Sequence, residues 1–100
     1  MISPVATTSL VSGLNAQTRV VETAAANIAN QSTPDYQAAR GSLVSRPLQG
    51  AAYVPLPPEG EVDPAQEIVS MMVAKTSFEA MAKAYSTIAE TEKNGLDSLA

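Results

Sequence analysis

Apolar and small residues recur in steps of three and four near both ends of the chain, and the pattern breaks down between them. From about Ser3 to Asn30, the positions Thr7, Leu10, Leu14, Gln17, Val21, Ala24 and Ile28 fall on one helical stripe, widened by Val11, Thr18 and Ala25. Ser3 is placed to cap this helix, with Pro4 at the first helical position, where its missing N–H is harmless. Arg19 and Glu22 are the only charges in the stretch and are spaced for a local i,i+3 pair. So uncharged a helix is expected to be covered by protein on more than one side. Its threonines, serines, asparagines, valines and Gly13 leave it marginal alone.

A second helix is predicted from about Pro64 to Leu99. Asp63 is its N-cap, Pro64 its first residue, and Gln66 completes a spacing like a capping box. Ile68, Met71, Lys75, Phe78, Ala82, Tyr85, Ala89, Glu92, Leu96 and Leu99 form the stripe, imperfect at Lys75 and Glu92, while Met72, Met81 and Ile88 lie on another face. Asn94-Gly95 is a place for the helix to fray or end. Between the helices, Pro34, Pro47, Pro55, Pro57 and Pro58 and the glycines 41, 50 and 60 interrupt any long element. Ser42–Ser45 and Ala52–Val54 alternate well enough to pair as a short hairpin, yet each is barely strand length, so an extended linker or arm is the preferred reading. The expected fold is therefore all-α: two long terminal helices forming an antiparallel coiled-coil hairpin, with 1–30 and 63–100 as the helices and 31–62 as the linker of a single structural domain.

Composition narrows the chemistry. The 100 residues contain no cysteine and no histidine, which removes disulfides, the usual zinc sites and any histidine-based triad. Six bases against 10 acids give a net charge of −4, so no basic stripe is available for nucleic acid and nothing draws the protein to anionic lipid. No stretch is apolar enough for membrane insertion, and the N-terminus makes a poor cleavable signal. Aromatics are only 4%, and an alanine-rich protein of this length builds a thin core. Self-association or a partner is the expected source of the missing stability. No cofactor is implied.

Asn27-Ile28-Ala29-Asn30 followed by Thr33-Pro34-Asp35-Tyr36 resembles the "NIAN…TPGY" signature of bacterial flagellar rod and hook proteins. The run from Val62-Asp63-Pro64 to Thr87, with Phe78-Glu79-Ala80 and Ala82-Lys83 inside it, is similar to that family's C-terminal helix. The resemblance covers both ends in the family's order, and the short middle is nearest the small proximal-rod subunits. It implies a structural protein of the basal body, not an enzyme. Its terminal helices would line an inner coiled-coil tube in a helical assembly that transmits torque through the cell envelope. It also implies export through the flagellar secretion channel without a cleaved signal, with other rod and hook subunits and the export apparatus as partners. At position 35 the family usually has glycine, and aspartate here bears on the left-handed geometry of that turn.

On their own terms Asn27 and Asn30 sit where a helix end leaves carbonyls and amides to be satisfied, Thr33 is pushed out of the helix by Pro34, and Tyr36 can anchor the departing backbone. Leu10, Leu14, Val21, Ile28, Phe78, Ala82, Tyr85 and Leu96 are the expected packing seam within and between subunits. Competing readings are blander. Asn30-Gln31-Ser32 is a formal sequon better explained by the turn, and Met71, Met72 and Met81 read as core filling before docking surface. Glu90, Glu92 and Asp97 read as a solvated or inter-subunit face rather than paired catalytic carboxylates. Lys75 has two readings, a buried ion pair with another subunit or a side chain that snorkels to water. The alternative to a rod subunit is a non-polymerising helical-hairpin adaptor or chaperone-like protein that holds a partner helix in a groove.

Overall fold

A computed structural model of the protein describes residues 4–99. Helix α1 spans Pro4–Ala29, strand β1 Arg40–Arg46, strand β2 Gly50–Leu56 and helix α2 Pro64–Leu99. Proline opens both helices. The cap assigned to Ser3 lies outside the described residues, whereas Asp63 caps α2: its Oδ1 accepts from the Gln66 amide (3.3 Å) and its carbonyl from the Glu67 amide (3.0 Å). The two helices pack antiparallel, with Asn27 bonded to Glu67 near one end and Gly13 lying under Met81 towards the other. The molecule is elongated, 63 × 23 × 14 Å.

The all-α expectation is overturned. Residues Arg40–Arg46 and Gly50–Leu56 form an antiparallel hairpin paired from Arg40 with Leu56 to Arg46 with Gly50, so the middle of the protein is not an extended linker. The alternation at Ser42–Ser45 and Ala52–Val54 marked only the centre of each strand, because glycine, proline and arginine occupy the strand ends. Alone, such a two-stranded sheet would be marginal in water. It persists here because β2 lies along α1. Tyr53 shares a 2.8 Å hydroxyl hydrogen bond with Thr23, and its ring sits 5.4 Å below the Arg19 guanidinium. The same ring covers Gly41 on the neighbouring strand, where a β-carbon would collide with it. At the other end of β2, Gly50 presses against the α1 backbone at Ser9. Pro57 and Pro58 have no N–H to continue the ladder; pairing resumes beyond them, with the Ala38 amide donating to the Gly60 carbonyl (2.9 Å) and the Glu59 amide to the Ala38 carbonyl (3.1 Å).

α1 is thus covered on two sides by other elements of the same molecule, α2 and β2, which accounts for its lack of charge. The core at its centre is narrow. Ala16, Ala24, Ala38 and Ala74 are buried together with Asn27 and Gly13, and among the described residues every large apolar side chain is left half-buried or exposed. Gly13 and Ala16 recur 11 residues on as Ala24 and Asn27; Ala24 lies on the predicted stripe, and the other three stand one position before a stripe residue. Small side chains let the two backbones approach, but each buried methyl contributes only about 0.8 kcal/mol where a leucine would contribute ~1.5–3 kcal/mol. Among the described residues three ion pairs, Arg19 with Glu22, Arg40 with Glu59 and Lys75 with Glu79, lie on the surface and add little.

Two turns share one construction. In Thr33–Tyr36 and Arg46–Gln49 a proline stands second, the fourth amide donates to the first carbonyl, and the third residue has positive φ: 61° at Asp35 and 63° at Leu48. Glycine is the ordinary choice there. Asp35 therefore keeps the left-handed turn despite the missing glycine, since aspartate tolerates that region. Leucine does not. Leu48→Gly is expected to stabilise the fold by about 0.5–1 kcal/mol, the strain relieved being partly offset by the freedom glycine gains in the unfolded state. Asp35→Gly should change stability by less than about 0.5 kcal/mol on the same reasoning. Urea midpoints check the pair, and equal shifts would show that Leu48 carries no extra strain.

Candidate functional site

The residues at the end of α1 build a clasp around one side chain. Asn27 is wholly buried, and each of its hydrogen-bonding positions is used. Its Nδ2 donates to the Ala39 carbonyl (3.0 Å) and to Glu67 Oε1 (3.0 Å). Its Oδ1 accepts from the Tyr36 hydroxyl (2.9 Å) and from the Ala39 amide (2.8 Å). A primary amide offers two donors and two lone pairs, so asparagine is saturated here, whereas aspartate would present an acceptor to two acceptors. The clasp joins the last turn of α1, the departing backbone and the first turn of α2.

Asn30 plays a local part. Its Nδ2 donates to the Ala26 carbonyl (2.8 Å), satisfying a helix-end acceptor, and its Oδ1 accepts from the Thr33 hydroxyl (3.3 Å). The Thr33 amide donates to the Asn30 carbonyl (2.9 Å), and Pro34, exposed, turns the backbone so that half-buried Tyr36 swings back to Asn27. The four motif residues Asn27, Asn30, Thr33 and Tyr36 are therefore brought together, with Pro34 making the bend between them. Glu67 and Ala39 complete the clasp. No sequence signal marked either, because their role depends on which carbonyl and carboxylate the fold brings to Asn27.

The seam residues are placed differently. Leu10, Leu14, Val21, Ile28 and Ala82 are half-buried, but Phe78 and Tyr85 are 39% and 41% exposed and Leu96 is 65% exposed. Of the other stripe positions on α2, Met71 is half-buried but Ile68 and Lys75 face outward, and the line nearest α1 passes through Glu67, Met71, Ala74, Met81 and Ile88. Burial follows the small residues, so the large ones ride on the flanks. Two shallow grooves result. One, lined by Gln17, Thr18, Val21, Met71, Lys75 and Phe78, is almost wholly apolar. The other runs between β1 and α2, with Leu43, Val69 and Val73 over a floor of Val20 and Ala74. Lys75 pairs with Glu79 on its own helix at 3.8 Å, with both side chains well exposed.

Among the described residues no group of three or more acidic side chains is gathered as a metal site, and every buried side-chain nitrogen or oxygen has a partner. No described helix is long and apolar enough to cross a membrane. The clasp is buried, and the apolar flanks of the helices are exposed. Their chemistry is that of packing.

Comparison with known proteins divides the molecule at the same places. Residues 8–37, α1 through the Tyr36 turn, match the family of flagella basal body rod proteins. Residues 61–98, essentially α2, match the C-terminal region of the flagellar basal body rod FlgEFG proteins. The hairpin lies outside both matches. A search of curated proteins finds no significant match.

Proposed function

Because the protein belongs to the flagellar basal body rod family, whose members are structural, we propose that it is a rod subunit whose terminal helices pack against those of neighbouring copies and of other rod and hook subunits to carry torque. On this reading it sits in the periplasm-spanning part of the basal body and reaches it through the flagellar export apparatus without a cleaved signal. The observation that carries the reading is the inverted distribution of side-chain size. Small residues fill the internal seam, while Ile68, Val69, Met72, Val73, Phe78, Tyr85, Leu96 and Leu99 are exposed along α2. A monomer that lived alone would be expected to bury more of them, because exposed apolar flanks of this kind mark an interaction site. The three-part organisation supports it too: the helices serve for assembly, and the clasp at Asn27, Asn30, Thr33, Pro34 and Tyr36 sets the angle between them.

The test separates assembly from folding. Phe78→Asp and Leu14→Asp should abolish incorporation into isolated basal bodies and abolish swimming in cells lacking the natural copy. Phe78 is already partly in water, so its replacement should leave the far-ultraviolet circular dichroism of the free subunit nearly unchanged. Mass and helicity of the free subunit, followed together by sedimentation and circular dichroism over a concentration series, should rise together. Unchanged assembly of both variants would sink the mechanism.

A further inference from the structure

The two helices differ in length, 26 residues against 36, and the register set by Asn27 with Glu67 and Gly13 with Met81 brings Pro4 level with Glu90. Every described residue of α2 beyond that point is exposed. This overhang is poorly made. It is shorter than an isolated helix needs, it contains Asn94 and Gly95, and its last turn has no basic residue to meet the helix dipole but does carry Asp97. The Ser98 hydroxyl donates back to the Gly95 carbonyl (2.9 Å), an alternative to the helical bond that eases opening. Such an end opens at almost no free-energy cost.

We infer that Asn94-Gly95 is a self-modifying site that ages the unassembled subunit. When the overhang opens, the Gly95 backbone nitrogen attacks the carbonyl carbon of the Asn94 carboxamide. A new bond from that carbon to the Gly95 nitrogen closes a succinimide. The bond from the same carbon to Nδ2 breaks, and the displaced nitrogen leaves as ammonia with the proton that Gly95 gives up. Water then adds to one of the two imide carbonyls and opens the ring to aspartate or isoaspartate. Gly95 leaves this path unobstructed: beyond its chain neighbours and the adjoining helix backbone, even an added β-carbon would meet nothing within 4 Å. The remaining asparagines are held back. Asn15, Asn27 and Asn30 are followed by Ala16, Ile28 and Gln31, whose side chains hinder the attack; Asn27 is locked in its clasp and the Asn30 amide is tied to Ala26.

The product adds a negative charge beside Glu92 and Asp97 at the negative end of the dipole. Isoaspartate also lengthens the backbone by one atom, which ends the helix before Leu96 and Leu99. The consequence for assembly rests on the rod reading, in which a packed overhang stays closed and does not react; the chemistry itself does not.

The experiment incubates the full-length protein at neutral pH and follows each asparagine by peptide mass spectrometry, with isoaspartyl methyltransferase labelling to identify the isomer. Asn94 should react at a rate within about tenfold of that in the urea-unfolded protein, since terminal opening is nearly free. Asn15, Asn27 and Asn30 should stay well behind. Asn94→Gln should abolish the product and Gly95→Ala should slow it. A slower Asn94, or an Asn15 that keeps pace with it, overturns the site. In assembled rods Asn94 should be protected relative to the free subunit. Equal rates there would overturn the clock but not the chemistry, while a protein that reacts as described yet never assembles would overturn the rod reading alone.

Discussion

Asn27→Ala will lower the stability of the free subunit by about 3 kcal/mol or more, a large share of what a domain of this size possesses. The substitution removes four hydrogen bonds at once and leaves the Ala39 amide and carbonyl, the Tyr36 hydroxyl and Glu67 Oε1 without their partner. Stranded polar groups cost more than the bonds were worth, because each loses water as well as its mate. Asn27→Asp will be no milder, since its second oxygen would face the Ala39 carbonyl and the Glu67 carboxylate. Glu67→Gln keeps an oxygen available to Asn27 Nδ2 and should cost less than about 1 kcal/mol. Urea unfolding of the three variants checks this, with exchange of the Ala39 amide as a local probe. If Asn27→Ala and Glu67→Gln shift the midpoint alike, the clasp is not what fastens the helices.

Gly50→Ala should free the hairpin from α1 while leaving the helices paired. Gly50 has φ +85°, and a β-carbon there would stand 2.8 Å from the Ser9 α-carbon and 2.8 Å from its carbonyl oxygen. Both are backbone atoms of a helix, so neither can move aside. Gly60 provides the control: its φ is +76°, but a β-carbon there meets nothing within 4 Å. Gly60→Ala therefore reports left-handed strain alone, roughly 1–2 kcal/mol, whereas Gly50→Ala adds the collision. Amide hydrogen exchange across Arg40–Leu56 should approach that of unprotected backbone in Gly50→Ala, since two strands alone are marginal, and should stay slow in Gly60→Ala. Equal protection in both would mean that the hairpin does not need this approach.

The parts of this structure that are written locally were readable. Proline at the head of each helix, Asp63 as a cap and the arrest of α1 before Thr33-Pro34 all follow from one residue acting on its near neighbours. The motif at Asn27 to Tyr36 was legible as a helix end with its polar groups to satisfy, but Glu67 lies 40 residues away, and only folding brings it within reach. The hairpin was misjudged because its strands draw on Tyr53, Thr23 and Ser9 for support that strand propensity does not include. The helix stripes were located correctly as elements, yet the buried line runs beside the leucines. A count of apolar side chains favours the large ones; of the buried small residues Gly13, Ala16, Ala24 and Ala74, only Ala24 stands on a predicted stripe.

That choice of residues has a mechanical meaning. A seam of leucines yields under shear, because each leucine can hop between staggered χ settings and let one helix creep past the other. Alanine and glycine have no such settings to exchange. With Ala16, Ala24 and Ala74 as the buried alanines of α1 and α2, a load on the helices would meet few side-chain torsions able to give way. The joint is thin and weakly held. It is also stiff.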